Sequence, residues 1–89
     1  MNNKRLEGMR VAVLSTDGVE DAELREPRKA LEEAGAKTTL FSPKEGSIQS
    51  FKHHDKADTF KVDKSLTQAD PTQFDAVLLP GGALNADTL

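Results

Sequence analysis

Cysteine is absent from these 89 residues. Without a thiol, the chain can build no disulfide, no thiolate zinc centre and no sulfur nucleophile of its own. Long apolar runs are also missing. No stretch approaches the roughly 18 residues of a membrane span, and Met1 to Gly8 is polar, without the apolar core of a signal peptide. No membrane partner is expected, and the simplest location is the cytoplasm. An excess of basic charge is lacking: 12 Lys and Arg stand against 15 Asp and Glu, a net charge of -3. The cations are interspersed with acids, so nucleic acid is not an expected partner. Repeats and low-complexity tracts are absent too. The length allows one small domain, which buries only about 60 to 65% of the surface its unfolded chain exposes, so marginal stability is expected.

The chain is organised around Asp75-Ala76-Val77-Leu78-Leu79-Pro80-Gly81-Gly82. Ala76 to Leu79 is apolar without alternation and runs into a Pro-Gly-Gly stop, which predicts a strand buried on both faces in a parallel sheet flanked by helices. A double glycine at its carboxyl end lets backbone amides approach a ligand. Upstream, Arg10 to Ser15 predicts the first buried strand, bounded by the turn-forming Asp17-Gly18. Asp21 to Ala34 has Leu24, Pro27, Leu31 and Ala34 at helical spacing, an amphipathic helix against a sheet. Pro27 should kink or restart it, sitting in its first turn, and Gly35 supplies the left-handed stop. Lys37 to Ser42 is the second strand, and the strand-helix-strand order implies a right-handed crossover with parallel pairing.

From Ser47 to Asp63, Ile48 and Phe51, then Phe60 and Val62, suggest a side hairpin around a polar loop from Lys52 to Thr59. Ser65 to Ala69 predicts one helical turn stopped by Asp70-Pro71. Asn85 to Leu89 resembles a helix start capped by Asn85, and three parallel strands leave an edge bare, so a truncated larger domain is expected. Residues 1–8 are then a polar lead-in and residues 9–89 a partial domain. In doubly wound sheets the first and third strands flank the switch-point crevice. The loops Thr16 to Glu23 and Pro80 to Asp87 should both open onto it, with Glu20-Asp21-Ala22-Glu23 facing the Gly81 and Gly82 amides.

Taken together, Val11-Ala12-Val13-Leu14, Thr16 to Leu24, Glu26 to Leu31, Ser42-Pro43, Asp55-Lys56, Asp58-Thr59-Phe60, Val62-Asp63 and Phe74 to Gly82 resemble the PfpI intracellular proteases of the class I glutamine amidotransferase-like superfamily, which also includes deglycases. The resemblance covers nearly everything after Gly8. It implies an α/β flavodoxin-like doubly wound parallel sheet, here truncated to its amino-terminal part, and no cofactor. It also implies a cysteine nucleophile at a strand-to-helix elbow, followed by His. By position Glu23 is the carboxylate that contacts that cysteine, Gly81 and Gly82 provide the oxyanion amides, and Asp87 corresponds to a further acid. The Cys-His elbow itself is not in this sequence. The full-length relative would act on a peptide or small-molecule substrate, in a stress-protective role, as a homo-oligomer.

Each residue type suits that chemistry. A thiolate is the attacking form, a carboxylate sharing its proton tunes its ionisation, and preorganised amides stabilise developing negative charge. Glu23 also reads as a first-turn acid complementing a helix dipole, and Gly81-Gly82 as a tight strand-to-helix turn. His53 and His54 lie near Asp55 and Asp58, but adjacent histidines on an extended loop point apart, and no metal site is expected. His54 is a candidate for the mouth of the family pocket. Three functions follow: the amino-terminal part of a PfpI-type cysteine hydrolase, inactive alone; a non-catalytic flavodoxin-like module binding a small anion; or a partner subunit that completes its sheet against another chain.

Overall fold

The computed structural model describes residues 5–80. Gly81, Gly82, Asp87 and the helix start read at Asn85 lie outside the described residues. The order is β1 (Arg10–Leu14), β2 (Val19–Glu20), α1 (Asp21–Glu33), β3 (Lys37–Ser42), β4 (Ser47–Lys52), β5 (Asp55–Lys61), β6 (Lys64–Ser65) and β7 (Ala76–Leu78), with single 3-10 turns at Leu66–Gln68 and Pro71–Gln73 between β6 and β7.

The main sheet has the order β6-β3-β1-β7, with every pair parallel. β1 therefore sits between β3 and β7, the α/β flavodoxin-like arrangement expected from the sequence. Its register runs from Arg10 opposite Lys37 to Leu14 opposite Phe41 on one side, and from Val11 opposite Ala76 to Val13 opposite Leu78 on the other. Residues paired in this way share a face. Val11, Val13 and Leu40 point to the α1 side, where Leu24 and Ile48 join them in the buried core. Ala12, Leu14, Phe41 and Val77 fall on the opposite face, where Phe74 stacks edge-on against Phe41 with centroids 5.4 Å apart.

Helix α1 ends where the sequence says it should. Gly35 has φ +103°, and a side-chain carbon there would lie 3.0 Å from the Glu7 backbone, so both conformation and space require glycine. Pro27 corrects the expectation: it lies in the middle of α1, and the helix runs through it. The missing N–H leaves the Glu23 carbonyl without its helical donor, a loss water can offset because that turn is exposed.

In the lead-in, Leu6 packs against the core and donates its N–H to the Ala34 carbonyl at 2.8 Å. Three other expectations change. The side hairpin is longer than read, because β4 and β5 absorb all of the polar loop except His53 and His54, at the tight turn. That hairpin extends a second sheet of order β2-β4-β5, in which β2 runs parallel to β4. Finally, β7 is not buried on both faces: Ala76 is exposed and Val77 is 62% exposed. The reason is geometric. α1 covers only the face opposite Val77, while Ala76, on the α1 face beside Val11, stands at the sheet edge, because among the described residues β7 pairs with β1 alone.

Candidate active site

The carboxyl ends of β1, β3 and β7 open onto one concavity of about 540 Å³, lined by Leu14 to Val19, Phe41, Pro43, Leu66 and Pro80. The loop after β1 and the residue that leads into Gly81-Gly82 thus meet at one site, as the switch-point rule requires. The loop after β1 is tightly held. Gly18, at φ +95°, donates its N–H to the Gln49 carbonyl at 3.0 Å, and the Asp17 carboxylate accepts from the Gln49 N–H at 2.8 Å. Lys44 Nζ adds an ion pair to Asp17 at 2.9 Å. The Gln49 N–H and then Lys44 hold the Asp17 carboxyl below its ordinary value.

Glu20 and Asp21 do not face the crevice; the side hairpin takes both. Glu20 accepts from the His53 N–H at 3.1 Å. Asp21 is gripped by Arg25 through two bonds of 2.9 and 3.0 Å, and Arg25 reaches on to Asp58 at 2.7 Å while lying 5.0 Å over the Phe60 ring. Ser50, fully buried, has its Oγ 2.6 Å from the Asp58 carbonyl and 3.0 Å from Asp21; its one proton serves one acceptor at a time. Arg25 above all lowers the Asp21 pKa, and the same pairing raises that of Arg25.

Glu23 stands in the first turn of α1, which follows the β1 loop and therefore lies at the carboxyl end of the sheet. It is exposed, makes no ion pair or side-chain hydrogen bond with the described residues, and is not among the residues lining the concavity. His54 is exposed at the turn between β4 and β5 and is not among the residues lining the concavity. His53, His54, Asp55 and Asp58 do not converge, and no group of three or more metal-ligating side chains forms among the described residues. No helix among them is long and apolar enough to cross a membrane.

Sequence reasoning missed Leu66 as a site residue. β6 adds to the edge of β3 beside Phe41 and Ser42, and the turn that follows projects Leu66 into the concavity. The spacing of Ser65 and Gln68 carried a signal, since a Ser with Gln three residues on is a capping box. The structure forms it: the Ser65 hydroxyl accepts from the turn, and the Ser65 N–H donates to Gln68 Oε1 at 3.0 Å.

The family model described as DJ-1/PfpI matches residues 9–89. The chain belongs to the DJ-1/PfpI family. Among curated proteins it is 41% identical over 73 residues to "Putative cysteine protease YraA" of Bacillus subtilis, covering 82% of this chain and 41% of that protein. It is 40% identical over 74 residues to a deglycase of Thermococcus kodakarensis, covering 83% of this chain and 42% of the relative. A third relative, General stress protein 18 of Bacillus subtilis, is 37% identical over 75 residues, covering 84% and 42%. The chain spans about two fifths of the length of the curated relatives it matches. The DJ-1/PfpI membership and the parallel sheet agree on one fold, an α/β flavodoxin-like sheet whose crevice lies at the carboxyl ends of its strands.

Proposed function

We propose that these residues supply the carboxylate and amide portion of a PfpI-type cysteine hydrolase site, of protease or deglycase chemistry, and are inactive without a sulfur nucleophile from outside them. The observation that carries this is the concavity where the β1 loop meets Pro80, in a family member that contains no cysteine. In this reading Glu23 shares a proton with the incoming thiol and tunes its ionisation, while the Gly81 and Gly82 amides stabilise the oxyanion. Asp87 adds an acid beyond the glycines; His54, at the hairpin turn and outside the described lining, is assigned no role. The protein works in the cytoplasm, where thiolates stay reduced, and the relative named as a general stress protein supports a stress-protective role.

Neither Ser15 nor Thr16 can take over as nucleophile. Both line the concavity, but neither has a hydrogen-bonded base among the described residues to activate it. The test is to purify this chain and assay peptide and glyoxal turnover beside a full-length relative. No turnover above background is expected. Turnover within about tenfold of the relative, a barrier difference of roughly 1.4 kcal/mol, overturns the proposal. A second reading, a partner subunit that completes its sheet against another chain, is favoured by the exposed Val77 on β7.

A further inference from the structure

The concavity has an unusual wall. Its only ionisable lining residue among those described is Asp17, and that charge is already matched by Lys44 at 2.9 Å and by the Gln49 N–H. Among the described lining residues, then, a charged substrate group finds no unmatched counter-charge. The remaining lining is Leu14, Val19, Phe41, Pro43, Leu66 and Pro80, with small polar residues at the β1 loop.

Leu66 distinguishes this wall from a merely apolar floor. It is 38% exposed, and only Leu66 and Val77 are exposed large hydrophobics among the described residues. An exposed leucine costs little by itself, but this one is fixed in place. Its turn is closed by the Ser65–Gln68 capping box, and β6 anchors the turn to β3 through the pairs Phe41–Lys64 and Ser42–Ser65. Holding a large apolar side chain at a crevice mouth leaves area that water covers poorly and a ligand can bury.

We infer that Leu66, with Val19 and Pro43, forms a specificity shelf for the uncharged aliphatic side chain of a peptide, so that the site selects its substrate by an apolar residue beside the reacting bond. This deepens the cysteine-hydrolase reading and rests on it for the reaction, but the shelf itself needs no sulfur.

The test uses this chain, isotopically labelled, and blocked amino acids as probes, two of them uncharged and one carrying a side-chain carboxylate. N-acetyl-leucine methylamide, N-acetyl-glycine methylamide and N-acetyl-aspartate methylamide are titrated while the amide resonances of Thr16, Gly18 and Leu66 are followed. The leucine probe should bind roughly three- to ten-fold more tightly than the glycine probe, the range expected for burying part of an isobutyl group. The aspartate probe should be the weakest. Leu66→Ser keeps the capping box and should erase the leucine preference, whereas Leu66→Met should retain it. Equal affinity for leucine and glycine, a preference that survives Leu66→Ser, or no shift with any probe each overturns the shelf. Should Leu66→Ser fail to fold, the probe series on the unaltered chain still decides. Because binding is read without turnover, failure here leaves the cysteine chemistry standing, and failure of that chemistry leaves a binding result intact.

Discussion

Asp21 shows how far a residue's role depends on distant chain. It opens α1, yet its carboxylate is spoken for by Arg25 one turn on and by Ser50 in the hairpin. As a sequence, Glu20, Asp21 and Glu23 form one acidic cluster around Ala22, and nothing local says that the first two turn away from the crevice. The hairpin decides that, through contacts 29 to 33 residues away in the chain. The same contacts set a pH dependence. Asp17, Asp21, Asp70 and Asp75 all have carboxyls held below their ordinary value of 3.8, chiefly by the Gln49 N–H, Arg25, the Thr72 hydroxyl and the Arg10 N–H respectively. A depressed folded-state value means that the unfolded chain binds protons first, so the stabilisation is complete above the ordinary value and lost as pH falls through the depressed ones. The urea midpoint should therefore be insensitive to these groups above about pH 5 and fall steadily below about pH 4. Asp21→Asn should flatten part of that slope. A midpoint unchanged down to about pH 2.5 would remove the role given to these carboxylates.

At the scale of elements, length governed legibility. β1, β3 and α1 each span enough residues for a period to show, and the sequence locates them within one residue at each end. β2 and β6 have two residues each and no period at all; they exist because a neighbouring strand edge offers them hydrogen bonds. Gly35 was readable because its conformation is a local demand. Gly35→Ala forces a side chain into φ +103° and within 3.0 Å of the Glu7 backbone, and should cost roughly 1–3 kcal/mol. Thermal unfolding measures it, and a loss below a few tenths of a kcal/mol would mean that the lead-in simply moves away. Pro27 was misjudged because the rule against proline inside helices weighs the lost bond but not the packing around it. Pro27→Ala returns a donor to the Glu23 carbonyl and should raise the unfolding temperature, the helix-propensity gain of up to about 3 kcal/mol outweighing about 1 kcal/mol of unfolded-state entropy. A lower unfolding temperature would show that the pyrrolidine ring packs too well to replace. Leu24→Ala removes a side chain with no exposed surface from the α1–sheet contact, and should cost about 2–5 kcal/mol. For a small domain that is enough to leave much of the population unfolded.

For the whole molecule, strand order was legible and strand environment was not. The crossover rule places β1 between β3 and β7 from connectivity alone. Burial of β7 depends instead on what packs outside it, and a run of apolar residues states only what the strand needs covered. Ala12, Leu14, Pro71, Phe74 and Val77 surround an apolar hollow of about 280 Å³ on the face opposite α1, and Val77 stands 62% exposed beside it. Among the described residues β7 has an open edge and an uncovered apolar side chain, and such a strand is a template for another chain. Purified at tens of micromolar, this chain should therefore self-associate, its sedimentation coefficient rising with concentration. Val77→Lys places a charge on the exposed face and should shift that equilibrium toward monomer, while the dichroism of the α1 and β1–β3 core stays unchanged. The substitution should also leave N-acetyl-leucine methylamide binding at Leu66 intact, because Leu14 lines both the hollow and the crevice but Val77 lines the hollow alone. A concentration-independent monomer that unfolds cooperatively would show that the β7 face needs no cover; association unaffected by Val77→Lys would place the contact elsewhere, with the exposed outer edge of β5 the next surface to alter.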